Sequence, residues 1–342
     1  MSKWKSAVLI ALVSVAACKK KEKEAPKPEP QPVAKTPDAA VVAPTPDAGP
    51  TDAERVAEEM KEAEAEAAEE AKRWTPELKQ QAVALRDGKY KDEKAALEAI
   101  LKSGHRTPGA AERDGARHPV ATLTFFGIKP SSTVVELGAG GGWYTEVLAP
   151  LLANKGKLIV AGPDSAGPPD KMPTVTGRRL DLFLAKSPEL FGKVERVTLR
   201  PPDDVKLGAD GTADLVLAIR EMHNWQRRKH IDQYLKAVHA VLKDGGTFGV
   251  VQHRAKEGTR GEDTAESGYL AEAWVIEKVK AAGFELVEKS EVNANPKDTK
   301  DYKDGVWTLP PTYTLGETDK AKYEAIGESD RMTLRFKKVK KT

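Results

Sequence analysis

The stretch Thr133-Val134-Val135-Glu136-Leu137-Gly138-Ala139-Gly140-Gly141-Gly142-Trp143-Tyr144 decides how this chain folds. A short apolar run closes on an acid, passes through a turn of glycines, and opens into a helical pattern. A glycine-rich turn between a strand and a helix lets a ligand approach the backbone and meet the helix N-terminus. Taken alone it fits NAD, FAD or S-adenosylmethionine, or merely a turn. Working outward, short apolar runs alternate with helical stretches. Lys157 to Ala161, Val194 to Leu199, Ala213 to Ile219 and Thr247 to Gln252 read as further buried strands. Trp143 to Ala153, Leu180 to Phe191 and Lys229 to Leu242 read as the helices between them, the last stopping at a Lys243–Gly246 turn. Such alternation marks a parallel sheet covered on both faces. A helix at Ala271 to Ala282 and strands at Phe284 to Ser290 and Arg331 to Lys337 follow, these last two able to pair as an antiparallel edge.

Two details of the turn discriminate among its ligands. In the dinucleotide fingerprint the third glycine allows close packing of helix on strand; here that place holds the bulky Trp143. The acid Glu136 stands two residues before the first glycine. The pattern Glu136-x-Gly138-x-Gly140-x-Gly142 resembles motif I of class I S-adenosylmethionine-dependent methyltransferases. That resemblance implies an α/β, Rossmann-like, doubly wound sheet of seven mostly parallel strands, the last antiparallel, with N-terminal helices packed on it. It also implies S-adenosylmethionine as cofactor, held by Glu136, Gly138, Gly140, Gly142, Trp143 and Tyr144. An acid after the second strand and a polar residue after the third belong to the same pattern. Asp164, shifted from the usual place near Gly162, and Asp203 are the candidates, each equally readable as a turn residue.

Further stretches extend the likeness over about residues 105 to 338: Arg113-Asp114, Arg117-His118-Pro119, His223-Asn224-Trp225, His253-Arg254-Ala255 and Asn295-Pro296. Together they resemble a poorly characterised group of bacterial methyltransferases, some of them exported. Methyl transfer from a sulfonium needs alignment and at most a base. His223, just past the fourth strand, and His253, past the fifth, are the candidate catalytic bases; the alternative for each is a structural hydrogen bond. Arg113, Asp114 and His118 either cap the pocket or form a structural ion pair. Residues 293 to 325, with Trp307, Pro310 and Pro311, form either a lid or a surface covering.

The chain has 342 residues, 55 basic against 52 acidic, for a net charge of +3. That balance gives no reason to expect nucleic acid as a partner. The six histidines are scattered, and no metal site is expected. One cysteine, Cys18, excludes an internal disulfide and zinc sites built on several thiolates. Lys3 and Lys5 precede an apolar run from Ser6 to Ala17 that ends Val15-Ala16-Ala17-Cys18. This resembles the bacterial lipoprotein box, which implies a signal peptide over 1–18, acylation of Cys18, attachment to a membrane surface and a place in the bacterial envelope. Residues 19–50, with eight prolines from residue 26 onward, read as an extended linker. Residues 51–73, rich in Ala and Glu, read as a solvated helical stalk, opened by a capping box at Thr51–Glu54. A helical lead-in over 74–130 and the main domain over 131–342 complete the organisation. The expected function is methyl transfer from S-adenosylmethionine to a small-molecule or envelope acceptor. The alternatives are a non-catalytic envelope binding or scaffold module on the same fold, and a nucleotide-dependent oxidoreductase, which Trp143 disfavours.

Overall fold

The computed structural model describes residues 51–340. The signal peptide, the acylation candidate Cys18 and the proline-rich linker lie outside the described residues. Among the described residues five α-helices precede the sheet: α1 (Asp52–Arg73), α2 (Pro76–Arg86), α3 (Glu93–Leu101), α4 (Asp114–Arg117) and α5 (Pro119–Phe125). Strand β1 (Thr133–Leu137), α6 (Thr145–Leu152) and β2 (Lys157–Pro163) follow, then α7 (Met172–Ala185), α8 (Pro188–Phe191) and β3 (Glu195–Leu199). Next come β4 (Ala213–Ile219), α9 (Met222–Arg227), α10 (Ile231–Val241) and β5 (Leu242–His253). The chain closes with α11 (Gly261–Thr264), α12 (Glu272–Ala281), β6 (Phe284–Ser290), α13 (Lys320–Ile326) and β7 (Arg331–Lys338).

The seven strands lie in the order β3-β2-β1-β4-β5-β7-β6. Five pair in parallel, while β7 runs antiparallel between β5 and β6. This is the Rossmann-like sheet with an antiparallel last strand that the sequence led us to expect. The two final strands do pair antiparallel, but β6 alone forms the edge. Alternate strand residues face opposite sides. Val135 and Leu137 enter a core with Leu235 and Val238 of α10 and Val275 of α12. Val134 enters the other core, with Leu97 of α3, Leu123 of α5 and Leu148 of α6. Both faces are covered, which is why the strands read as continuous apolar runs.

Several boundaries differ from the sequence reading for local reasons. The helix expected from Leu180 to Phe191 begins at Met172 and divides before Pro188, because the residue preceding a proline is driven out of the helical region; Ser187 has φ −150° and ψ 94°. Lys243 to Gly246 is no plain turn. It is a bulge within β5, where the register slips between the partners Ala213 and Leu215, and Gly245 takes φ +74°.

The segment 51–73 forms a helix with the expected capping box, yet it does not stand free in solvent. Val56 and Ala63 are buried, Arg179 of α7 pairs with Glu59, Glu62 and Glu66, and Trp74 closes the end under a buried surface. No helix among the described residues is long and apolar enough to cross a membrane.

What the topology places at one edge matters most. The carboxyl ends of β1, β2, β3, β4 and β5 converge there. Because β7 is antiparallel, its first residue Arg331 registers with His253 at the end of β5 and reaches the same edge.

Candidate functional site

Two cavities open on that edge, of about 800 Å³ and about 540 Å³, and share Gly138, Glu221 and Asn224 on their walls. The glycine loop lies between them. Gly138 has φ +66°, which suits glycine, and its amide donates to the Ala161 carbonyl at 3.1 Å. A Cβ at this position would overlap the Glu221 carboxyl group. Gly140 lines the larger cavity with open space before it.

The remaining motif residues divide. Trp143 is on the wall of the larger cavity, with its indole N–H donating to the Ala110 carbonyl at 2.9 Å and the Arg117 guanidinium 4.8 Å from its ring. Glu136, Gly142 and Tyr144 line neither cavity. Glu136 is buried beneath the loop and accepts a hydrogen bond from Thr145 Oγ1 at 2.7 Å, so it fastens the start of α6. Burial pushes its carboxyl up to about 7. Gly142 packs where a Cβ would strike the Phe183 ring, and Tyr144 lies edge-on to Trp143 at 4.7 Å.

Asp164 is on the wall of the smaller cavity and also makes a turn, accepting from the Ala166 amide at 2.9 Å and from Arg200 at 2.7 Å. The hydrogen bond from Ala166 and then Arg200 keep its carboxyl below the usual range. Asp203 is exposed in a turn outside the cavity lining, where Leu199, Arg200 and Pro201 form the wall.

His223 and His253 meet on the larger cavity, their ring centroids 5.5 Å apart. His223 Nδ1 lies 3.3 Å from Gln252 Oε1, while Gln252 Nε2 donates to the Gly268 carbonyl at 2.9 Å. With the amide so oriented, Nδ1 carries the proton and Nε2 is left as an acceptor. His253 Nδ1 lies 2.5 Å from Ser329 Oγ. Burial lowers His223 to about 4 and takes His253 well below its ordinary value, so both are neutral at pH 7.

Sequence reasoning placed the stretch Arg220 to Trp225 at the ligand edge without giving Arg220 or Glu221 a role, and it missed Arg227, Glu328 and Ser329 as wall residues. Arg220 and Glu221 follow β4 directly, so the strand end that singled out His223 also pointed to them. Glu328 and Ser329 carried no motif; only the antiparallel direction of β7 brings them here. The group Arg113, Asp114 and His118 splits. Arg113 is on the cavity, Asp114 pairs with buried Arg106 at 2.6 Å, and His118 is exposed with φ +43° between two helices. The segment 293–325 supplies Trp307, Pro310 and Pro311 to the cavity wall. Its start is pinned by Asn293, which donates to Thr122 and Thr333. Among the described residues no group of His, Cys, Asp and Glu could hold a metal ion.

No family model matches this sequence, and no curated protein matches it. Solved structures with a similar fold include a SAM-dependent methyltransferase from Aquifex aeolicus, 15% identical, covering 73% of this chain and 100% of that one, with a TM-score of 0.44. The [4+2]-cyclase SpnF is 16% identical, covers 66% and 80%, and scores 0.43. A geranyl diphosphate methyltransferase in complex with SAM is 12% identical, covers 75% and 94%, and scores 0.42. Similarity at this level has no bearing on activity.

Proposed function

We propose that this chain is an S-adenosylmethionine-dependent methyltransferase, holding its cofactor across the two cavities and a methyl acceptor in the larger one. The observation that carries the reading is the meeting of both cavities at Gly138 under the Glu221 carboxyl. An elongated ligand passes there from an apolar wall to a polar one. The residues fit that cofactor. Leu199, Pro201, Trp225 and Tyr234 offer a wall for a purine, and Asp164 offers an acceptor for hydroxyls. Glu221 sets a carboxyl where a cation would cross. When bound, S-adenosylmethionine supplies an activated methyl group. His223 Nε2, neutral and unprotonated, is suited to take a proton from the acceptor's nucleophile.

A second reading, binding without catalysis, is favoured by one observation: a base lowered to about 4 is weak at neutral pH. Isothermal titration of S-adenosylmethionine and S-adenosylhomocysteine into the full-length chain tests the first, with heat expected from both. Heat from NAD and from neither sulfur nucleoside would overturn it. Binding without methyl transfer to an envelope extract would select the second. The lipoprotein-box resemblance around Cys18 supports an envelope location on an acyl anchor. Fatty-acid label that persists in a Cys18→Ala chain would refute that anchor.

A further inference from the structure

Behind the larger cavity one carboxylate serves several guanidinium groups. Glu328 accepts from Arg331 at 2.6 Å and from Arg117 at 3.1 Å, and Arg113 stands 3.6 Å away. Arg117 is 2% exposed, and neither its Nη1 nor its Nη2 has a hydrogen-bond partner, although the residue lines the cavity. Arg220 lines it too, and its guanidinium makes no hydrogen bond or ion pair among the described residues. Its backbone is held at φ +61°, an uncommon conformation for arginine, by a hydrogen bond from its amide N–H to the Val251 carbonyl at 2.7 Å. Three guanidinium groups therefore gather on the Glu328 carboxylate in a partly desolvated wall, with Arg220 as a further positive neighbour set between Glu328 and Glu221. Arg117 pairs with Glu328 through Nε alone, and buried donors left without a partner, as its Nη1 and Nη2 are, have a use for a counter-charge from outside.

We infer that this wall is an anion subsite for the methyl acceptor, in which Arg113, Arg117 and Arg220 bind a doubly negative oxyanion, a phosphate monoester or a dicarboxylate. The inference rests on the larger cavity being the acceptor site. The amino-acid tail of the cofactor is a poor match for the cluster, because its ammonium cancels its one carboxylate and leaves the surplus charge standing. Guanidinium forks suit oxyanions by paired N–H donation. The subsite also adjoins the histidine pair, since Ser329, next to Glu328, contacts His253. Burial, and after it the neighbouring Arg117, lowers Arg220 to about 9, which leaves it charged at neutral pH.

Titration calorimetry at pH 7.5 on the full-length chain saturated with S-adenosylhomocysteine tests the inference, with inorganic phosphate and malonate as probes. Binding of at least one is expected, weakened about tenfold or more in Arg220→Gln, with S-adenosylhomocysteine affinity unchanged. Phosphate binding alone assigns a phosphate ester; malonate binding alone assigns a dicarboxylate. Arg113→Gln, at a half-exposed position, serves if the first variant does not fold. Binding of neither probe, binding unaffected in the variant, or competition with S-adenosylhomocysteine would overturn the subsite. If phosphate binds while S-adenosylhomocysteine does not, the subsite stands and the methyltransferase reading falls.

Discussion

The Glu221 side chain lies directly over Gly138, in space that any larger residue at 138 would fill. The carboxyl thus stands where the two cavities join, and burial raises it to about 7. Its ionised fraction grows as pH rises through that value, so affinity for a cationic ligand grows in the same direction. S-adenosylmethionine should bind about tenfold more tightly at pH 8 than at pH 6. Glu221→Gln should abolish that dependence and leave affinity for neutral 5′-methylthioadenosine unchanged. A flat wild-type profile would remove Glu221 from the cofactor site.

Glu136 makes a separate prediction about stability. Its carboxyl is raised in the fold to about 7, above an ordinary value of 4.5. The folded state is therefore favoured fully below the unfolded value and loses stability as pH rises through about 7. Between pH 4.5 and 8 the loss from this group is on the order of 1–3 kcal/mol. Glu136→Gln keeps an acceptor for Thr145 and should flatten this part of the curve, read as Tm against pH in both proteins. Parallel curves would mean that Glu136 is not held in an apolar setting.

How far the sequence revealed the site follows from what each residue depends on. The strands and the glycine loop were legible because their patterns are local: apolar runs set the strands, and glycines mark the turn. The two histidines drew notice because each lies at the carboxyl end of a strand, His253 closing β5 and His223 just beyond β4. Glu328 was not, since it reaches the cavity only through the insertion of β7 between β5 and β6, a long-range event. Glu136 was read by its position in a motif, but strand alternation, which sends Val135 to one face and Glu136 toward α6, turns it from the cavities. Asp203 stands outside the cavity lining for a simpler reason: the wall after β3 ends at Pro201, and the acids beyond it are in solvent.

The histidine pair gives a kinetic prediction. If His223 Nε2 takes the proton, His223→Gln should lower kcat for methyl incorporation into an envelope extract by about 10²–10⁴ fold, with S-adenosylhomocysteine affinity unchanged. Because burial holds His223 near 4, activity should show no histidine-like fall between pH 8 and pH 6. Any decline there belongs to Glu221, and it should vanish from kcat when S-adenosylmethionine is saturating. Full activity in His223→Gln would assign the histidine to the hydrogen-bond network with Gln252 alone.

Helix α1 offers the clearest contrast between pattern and packing. Its alanines and glutamates suggest nothing to bury, yet it lies on α7 and ends at Trp74, 6% exposed, whose indole N–H donates to Glu70 at 3.0 Å. Glu70 also pairs with Arg73 at 2.6 Å and stands 3.5 Å from Lys186, itself 3.8 Å from Glu146 under the glycine loop. The helix is thereby tied to the floor of the site. Trp74→Ala should cost about 3 kcal/mol, as truncation of a buried aromatic does, measured by chemical denaturation. A chain beginning at Thr75 should lose at least as much, because buried Lys186 then loses one of its two carboxylates and keeps Glu146 and the Thr107 hydroxyl. Unchanged stability in both would return α1 to the role of a free stalk.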